Sequence, residues 1–185
     1  QIATACGGFN QIVFNRDGTF NIHPIIMEED KKAWLESHLM LFFTGISRYS
    51  TEVAKKTVEN LSKKEEQLHR MFGMVKHSMN ILQSPTTSIV EFGKLLHESW
   101  LYKRSLSSQI STPEIDEMYE AARASGAIGG KVLGAGGGGF VLFFVEPPNQ
   151  KKVRDVLNEL IYVPFKSESL GSRIVLYQPQ GFENF

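Results

Sequence analysis

The sequence predicts an α+β domain, an antiparallel sheet covered by helices, and three observations carry that prediction. Short apolar runs, Phe9–Phe14, Thr19–Ile25, His38–Phe43 and Phe140–Glu146, read as strands. Between them lie longer stretches whose apolar residues recur every three to four positions, the period of a helix face. Asp17-Gly18 joins the first two runs and gives a hairpin signal, because glycine accepts a positive φ in a tight turn.

The elements follow in order. Gln1–Gly8 reads as the last turns of a helix stopped by Gly7 or Gly8. The hairpin comes next, then an acidic-start helix over Glu28–Ser37. His38–Phe43 is a buried strand ending at Thr44-Gly45. From Thr51 to Leu82 an apolar stripe (Val53, Val58, Leu61, Leu68, Met71, Phe72, Val75, Met79, Leu82) predicts core-facing helix, broken near Ser62-Lys63-Lys64. Thr87 is the expected cap of a helix running to about Arg104, with Ile89, Phe92, Leu95, Leu96 and Ser99 on its inner face. Thr112-Pro113 is a clearer start, a capping threonine followed by proline at the first helical position. That helix buries Ile115, Met118, Tyr119 and Ala122 and stops at Gly126. Pro147-Pro148 opens a helix to about Leu160, and Tyr162–Lys166 and Arg173–Tyr177 are expected to close the chain as strands.

Composition sets the boundaries of function. The 185 residues, 42% of them hydrophobic, are enough for one packed domain. Twenty Lys and Arg balance twenty Asp and Glu, so no global charge draws the chain to nucleic acid, and no aromatic RNA-binding motif is present. The longest apolar run, Phe140–Val145, is six residues, far below the roughly 20 of a spanning helix. No secretory leader is visible, and the single cysteine, Cys6, reads as a small buried thiol in a reduced, cytoplasmic protein. The five histidines show no metal spacing, and no metal site is expected. The serines lack an acid–base partner pattern, so a hydrolase triad has no support.

The most informative stretch is the glycine loop, Gly134-Ala135-Gly136-Gly137-Gly138-Gly139, preceded by Lys131. Gly134, Gly136 and Gly139 satisfy G-x-G-x-x-G, but the dinucleotide motif needs a helix after it, and a strand follows here. The phosphate-loop pattern G-x-x-x-x-G-K-[ST] is also absent. Two readings stay open: a tight connection under a passing backbone, or a nest of amides beside an anion to which Lys131 adds charge. Thr44, Gly45 and Arg48 follow a buried strand, a common place for binding residues, although Arg48 is also placed to pair with Glu52. Lys103 and Arg104 are candidates for a substrate phosphate, or for their own helix C-terminus.

Lys131-Val132-Leu133-Gly134-Ala135-Gly136-Gly137-Gly138-Gly139-Phe140 resembles the third motif of the GHMP kinases, the relatives of galactokinase, homoserine kinase and mevalonate kinase. Gln1–Ala5 with Gly7-Gly8-Phe9-Asn10, Phe43–Arg48 and Trp100–Ser107 resemble the bacterial sugar kinases of that family, and the likeness runs over essentially the whole chain. It implies a C-terminal lobe at residues 31–185, with 1–30 the tail of an N-terminal lobe. It also implies a small-molecule sugar phosphate as acceptor, nearest to the anomeric hydroxyl of D-glycero-D-manno-heptose 7-phosphate, with ATP as donor. ATP and Mg2+ are expected to bind mainly to the N-terminal lobe, whose nucleotide loop is absent from this sequence. The acid of the family's Asp-Gln pair is expected just before Gln1, so no catalytic residue is assigned within the chain and these residues alone are expected to be inactive. Another sugar such as galactose, or a non-catalytic metabolite-binding role, remains an alternative, and the oligomeric state is open.

Overall fold

A computed structural model describes residues 1–47, 49–175 and 177. The chain divides into two compact units, one of Gln1–Ile26 with the described part of 166–185, the other Met27–Phe165.

In the first unit, helix α1 (Ile2–Cys6) ends at Gly7, whose φ is 66°. Strands β1 (Asn10–Phe14) and β2 (Phe20–Pro24) form the antiparallel hairpin that Asp17-Gly18 predicts, with Phe14 opposite Phe20. Gly7 sits against a returning segment so closely that a Cβ there would lie 2.2 Å from the Gly171 nitrogen. Two expectations fail in this unit. Cys6 is exposed rather than buried, because α1 buries none of its residues. Arg173–Val175 and Tyr177 form no strand; Leu176 lies outside the described residues.

The second unit is built on a four-stranded antiparallel sheet in the order β4 (Ala127–Val132), β5 (Phe140–Val145), β3 (Leu39–Phe43), β6 (Ile161–Val163). Alternation along β3 sends Met40 and Phe42 inward, and β5 sends Val141, Phe143 and Val145 to the same core. Around the sheet lie α2 (Glu29–His38), α3 (Ser50–Asn60), α4 (Glu65–Gln83), α5 (Val90–Ser105), α6 (Pro113–Ala124) and α7 (Gln150–Val156). Trp100 of α5 and Tyr119 of α6 fill the centre with Phe143, their rings 5.7–5.9 Å apart. At α6 the expected cap is present, with Thr112 Oγ1 accepting the Ile115 amide and Pro113 opening the helix.

Helix α5 crosses β4 at a contact only glycines allow. A Cβ on Gly129 would stand 2.1 Å from the Gly93 carbonyl, and one on Gly93 would stand 2.5 Å from the Phe144 ring. β4 lies at the end of the sheet, yet several of its backbone carbonyls are occupied by side chains. Arg123 donates to the Ala127 and Ile128 carbonyls, and Lys103 Nζ donates to Val132 at 2.9 Å. Side chains from two helices thus do what a fifth strand would otherwise do.

Three details of the helical region differ from expectation. The α3–α4 break is a 3-10 turn at Leu61–Lys63, as expected, but Val58, Phe72 and Val75 of the stripe are exposed while Ile81, outside it, is buried. The stripe is wider than the face that meets the sheet. Thr87 does not cap α5: its carbonyl accepts Lys31 of α2, and the Ser88 hydroxyl accepts the Val90 amide. The last helix runs only to Val156, with Leu157 closing it, and the final strand is shortened to Ile161–Val163.

Candidate functional site

The glycine loop connects β4 to β5, so it is a hairpin connection rather than a strand-to-helix turn, and the rejection of a dinucleotide motif holds. Leu133 donates its amide to the Phe140 carbonyl at 2.8 Å, closing the hairpin stem. Beyond that pair, everything that holds the loop is distant in sequence. Thr44, buried at the end of β3, donates both its amide (2.8 Å) and its hydroxyl (2.9 Å) to the Gly139 carbonyl. The same hydroxyl accepts the Ile46 amide, and the Ile46 carbonyl accepts the Gly139 amide at 2.9 Å. Ile110, from the α5–α6 connection, accepts the Gly137 amide at 2.9 Å. Lys103 Nζ reaches the Gly134 carbonyl at 2.7 Å from the end of α5.

These clamps explain the glycines. A Cβ on Gly138 would approach the Ile46 carbonyl to 2.4 Å, and one on Gly136 the Ile110 carbonyl to 2.7 Å. Both have positive φ, 151° and 111°, a region side chains enter only with strain. The tight-connection reading is therefore satisfied at these two positions. The amide-nest reading is also served, because the amides of Gly134, Ala135, Gly136 and Gly138 have no hydrogen-bond partner among the described residues. They belong to a loop around a shallow concavity of about 220 Å³, lined also by Phe43, Ile46, Ser47 and Ser50, the first residue of α3. Backbone amides held this way offer positive partial charge to an oxyanion without rearrangement. A neighbouring groove of about 360 Å³, lined by Tyr49, Glu52, Ser108, Gln109, Ser111 and Thr112 among others, carries hydroxyls and a side-chain amide.

The candidate residues separate in space. Thr44 holds the loop through its backbone and hydroxyl. Gly45 is exposed with φ 72° at the same turn. Arg48 lies outside the described residues. Lys103 is turned onto the loop backbone; burial first, and the nearby Lys131 ammonium second, bring its pKa down to about 8. Arg104 is engaged by Asp116, which also accepts the Ser111 hydroxyl at 2.6 Å, so in this structure its guanidinium ties α5 to α6. Lys131 does not line the glycine-loop concavity. Its side chain enters a different groove, between α4 and α5, where burial lowers its pKa.

Sequence reading missed Ile46 and Ile110, whose carbonyls shape the loop; backbone acceptors leave no signature in residue type. It also missed the polar cluster behind β4. Tyr119 Oη stands 2.7 Å from His97 Nδ1, and burial pushes the tyrosine up to about 12. Burial, and then the Arg123 charge, hold His97 below its usual value. Among the described residues no group of three or more His, Cys, Asp or Glu is arranged to hold a metal ion. None of their helices is long and apolar enough to cross a membrane.

A glycine hairpin clamped between the end of a central strand and the connection of two helices defines a class that comparison identifies. Residues 80–163 match the family described as GHMP kinases C terminal. It is 30% identical over 150 residues to D-glycero-alpha-D-manno-heptose 7-phosphate kinase of Campylobacter jejuni, covering 80% of this chain and 43% of that one. Over 91 residues it is 37% identical to galactokinase of Clostridium tetani, covering 45% and 23%. The crystal structure of a D-glycero-D-manno-heptose 1-phosphate kinase from Bacteroides thetaiotaomicron superposes with a TM-score of 0.62 at 25% identity, over 92% of this chain and 46% of that one. Mevalonate kinase of L. major, at 17% identity and TM-score 0.68 over 94% and 52%, shares the fold. The chain spans less than half the length of the curated relatives it matches.

Proposed function

We propose that this chain serves as the C-terminal lobe of an ATP-dependent sugar-phosphate kinase. The reaction moves the γ-phosphoryl group of ATP to the anomeric hydroxyl of a D-glycero-D-manno-heptose 7-phosphate. The observation that carries the proposal is the clamped glycine hairpin with four unpartnered amides, in a chain 30% identical to a heptose 7-phosphate kinase. Residues 1–30 are assigned to the tail of an N-terminal lobe and 31–185 to the C-terminal domain. That N-terminal lobe is the proposed source of the acid and the nucleotide loop, which makes these residues alone inactive.

Phosphoryl transfer is accelerated by positioning and by neutralising charge on the moving group. The chain's own contribution is positional. Thr44, Ile46, Ile110 and Lys103 fix the loop, and the free amides of Gly134, Ala135, Gly136 and Gly138 are suited to phosphate oxygens. Mg2+ would neutralise charge on the phosphates, but no carboxylate lines the concavity, so no residue there is assigned to it. Thr44 and Lys103 act through the loop, as positioning residues. Gly45, at the turn after β3, and Arg48, outside the described residues, remain proposed substrate contacts, and Arg104 and Lys131 would need to leave their present surroundings to become so.

The test is ADP release by the natural-length protein with heptose 7-phosphate, galactose and mevalonate as acceptors. A preference for the heptose of tenfold or more in kcat/KM supports the proposal, and formation of the 1,7-bisphosphate establishes the attacking hydroxyl. Faster turnover of galactose would move the assignment to another sugar. No ADP release with any acceptor, together with tight metabolite binding, would favour a binding module instead.

A further inference from the structure

The groove between α4 and α5 lies on the α5 side of β4, apart from the glycine-loop concavity. Its walls are apolar: Met71, Met74 and Val75 come from α4, and Phe92, Leu95 and Leu96 from α5. Ser78 and Ser99 add two hydroxyls, and Lys131 supplies the only formal charge in the lining. The position of Lys131 follows from the strand. Gly129 faces α5, so Lys131, two residues on, faces the same way. Its ammonium has no hydrogen-bond or ion-pair partner among the described residues, and it lies close enough to the Lys103 ammonium for the two like charges to interact. Lys103 has two partners, the Val132 and Gly134 carbonyls.

A half-buried ammonium among methionine, leucine and phenylalanine side chains, with a like charge beside it, is costly unless an anion meets it. The apolar walls ask equally for an apolar occupant. At about 190 Å³ the groove has the room of roughly six water molecules at about 30 Å³ each. That volume suits a short aliphatic chain.

We propose that this groove binds a small amphipathic anion, with a carboxylate or phosphate-monoester head on Lys131 and an unbranched aliphatic tail of about six carbons between α4 and α5. The site is distinct from the phosphoryl-transfer loop and does not depend on the kinase assignment. It touches that loop in one way. Lys103, next to Lys131, grips the loop's first carbonyl, so an anion that neutralises Lys131 also alters the field at that grip.

The probes are hexanoate and hexyl phosphate, with hexanol as the neutral tail and inorganic phosphate as the tailless head. Amide chemical shifts of the full chain are followed during each titration. Saturable shifts at Met74, Leu96 and Lys131 are expected with at least one of the two anions, and which one binds identifies the head. Hexanol and inorganic phosphate should each bind at least tenfold more weakly. Lys131→Met keeps the side chain as far as Cε and removes the charge, and it should weaken anion binding at least tenfold. Ser99→Phe, which fills the groove and leaves Lys131 in place, should do the same. Thermal melting of both variants establishes that they are folded. No saturable shift with either anion would overturn the proposal, as would Lys131→Met binding as well as the parent chain. Hexanol binding as tightly as the anions would overturn the role of the head.

Discussion

The two glycine-bearing hairpins of this protein are held in opposite ways. In the β1–β2 turn every bond is local. The Asn15 amide donates to Thr19, Gly18 donates to Asn15, and Asp17 accepts both the amide and the hydroxyl of Thr19. In the β4–β5 loop only the Leu133–Phe140 pair is local, and the other bonds come from Thr44, Ile46, Lys103 and Ile110. The first turn is specified by its own four residues. The second takes its shape from the rest of the domain, and its glycines are there to let other backbone come close. A loop set by tertiary contacts keeps free amides in fixed positions, as preorganised binding of an oxyanion needs.

The contrast is most sharply tested by backbone substitution. Gly138→Val places a branched side chain against the Ile46 carbonyl at a φ of 151°. Strain of about 1–3 kcal/mol is expected. Displacement of the loop should lower phosphotransfer by the natural-length protein on the order of 100-fold. Gly18→Ala has a similar conformational problem, φ 85°, but open space around it. It should cost about 1 kcal/mol in urea denaturation and leave phosphotransfer unchanged. Equal effects on activity would remove the distinction between the hairpins.

Lys103→Met is next in size. Without the Lys103 contacts, the Gly137 and Gly139 amides should exchange several-fold faster, a loss of about 1 kcal/mol of local protection. The charge gives a second readout. The folded chain holds Lys103 near a pKa of about 8 against 10.5 for the unfolded group. Between those values the unfolded state binds more protons, so stability should rise as pH goes from about 8 to 10.5. Below that window the burial cost is fully present. The rise should be missing in Lys103→Met; its persistence would assign it to another group.

Thr44→Val keeps the shape and removes a hydroxyl that serves both Gly139 and Ile46. About 1 kcal/mol of stability should be lost, with loop amide exchange affected more than exchange in β1 and β2. Asp17→Ala should have the smallest effect, since the carboxylate it removes is exposed. Hydrogen bonds from Thr19 hold that carboxyl below its ordinary 3.8. Its contribution is therefore present above that value and fades as pH falls through the lower, folded pKa, in a melting series that Asp17→Ala should flatten.

What could be read from sequence follows the same division. The β1–β2 turn and the Thr112-Pro113 start of α6 are local signals, and both are present in the structure. Strand β4, Ala-Ile-Gly-Gly-Lys-Val, was hidden because two glycines weaken any strand pattern. Gly129 is required by the crossing of α5, and a Cβ on Gly130 would stand 2.5 Å from the Phe143 ring. The stripe on α4 predicted core at Phe72 and Val75, but helical period gives a face and not its depth, and only part of that face meets the sheet. Within the candidate site the glycine run was legible as a loop needing close approach or an anion. That Lys103 grips its backbone while Lys131 turns into another groove depends on where α5 lies, which no local pattern encodes.

The occupied margin of β4 also governs how this domain can meet its own kind. A strand from a second molecule would find the carbonyls of Ala127, Ile128 and Val132 already bound to Arg123 and Lys103. Extension of the sheet into a polymer is thereby discouraged on that side by two side chains, and the strand at the other end, β6, is three residues long. Neutralising Arg123 would then appear first as a change in colloidal behaviour, in protein concentrated or held near its unfolding temperature.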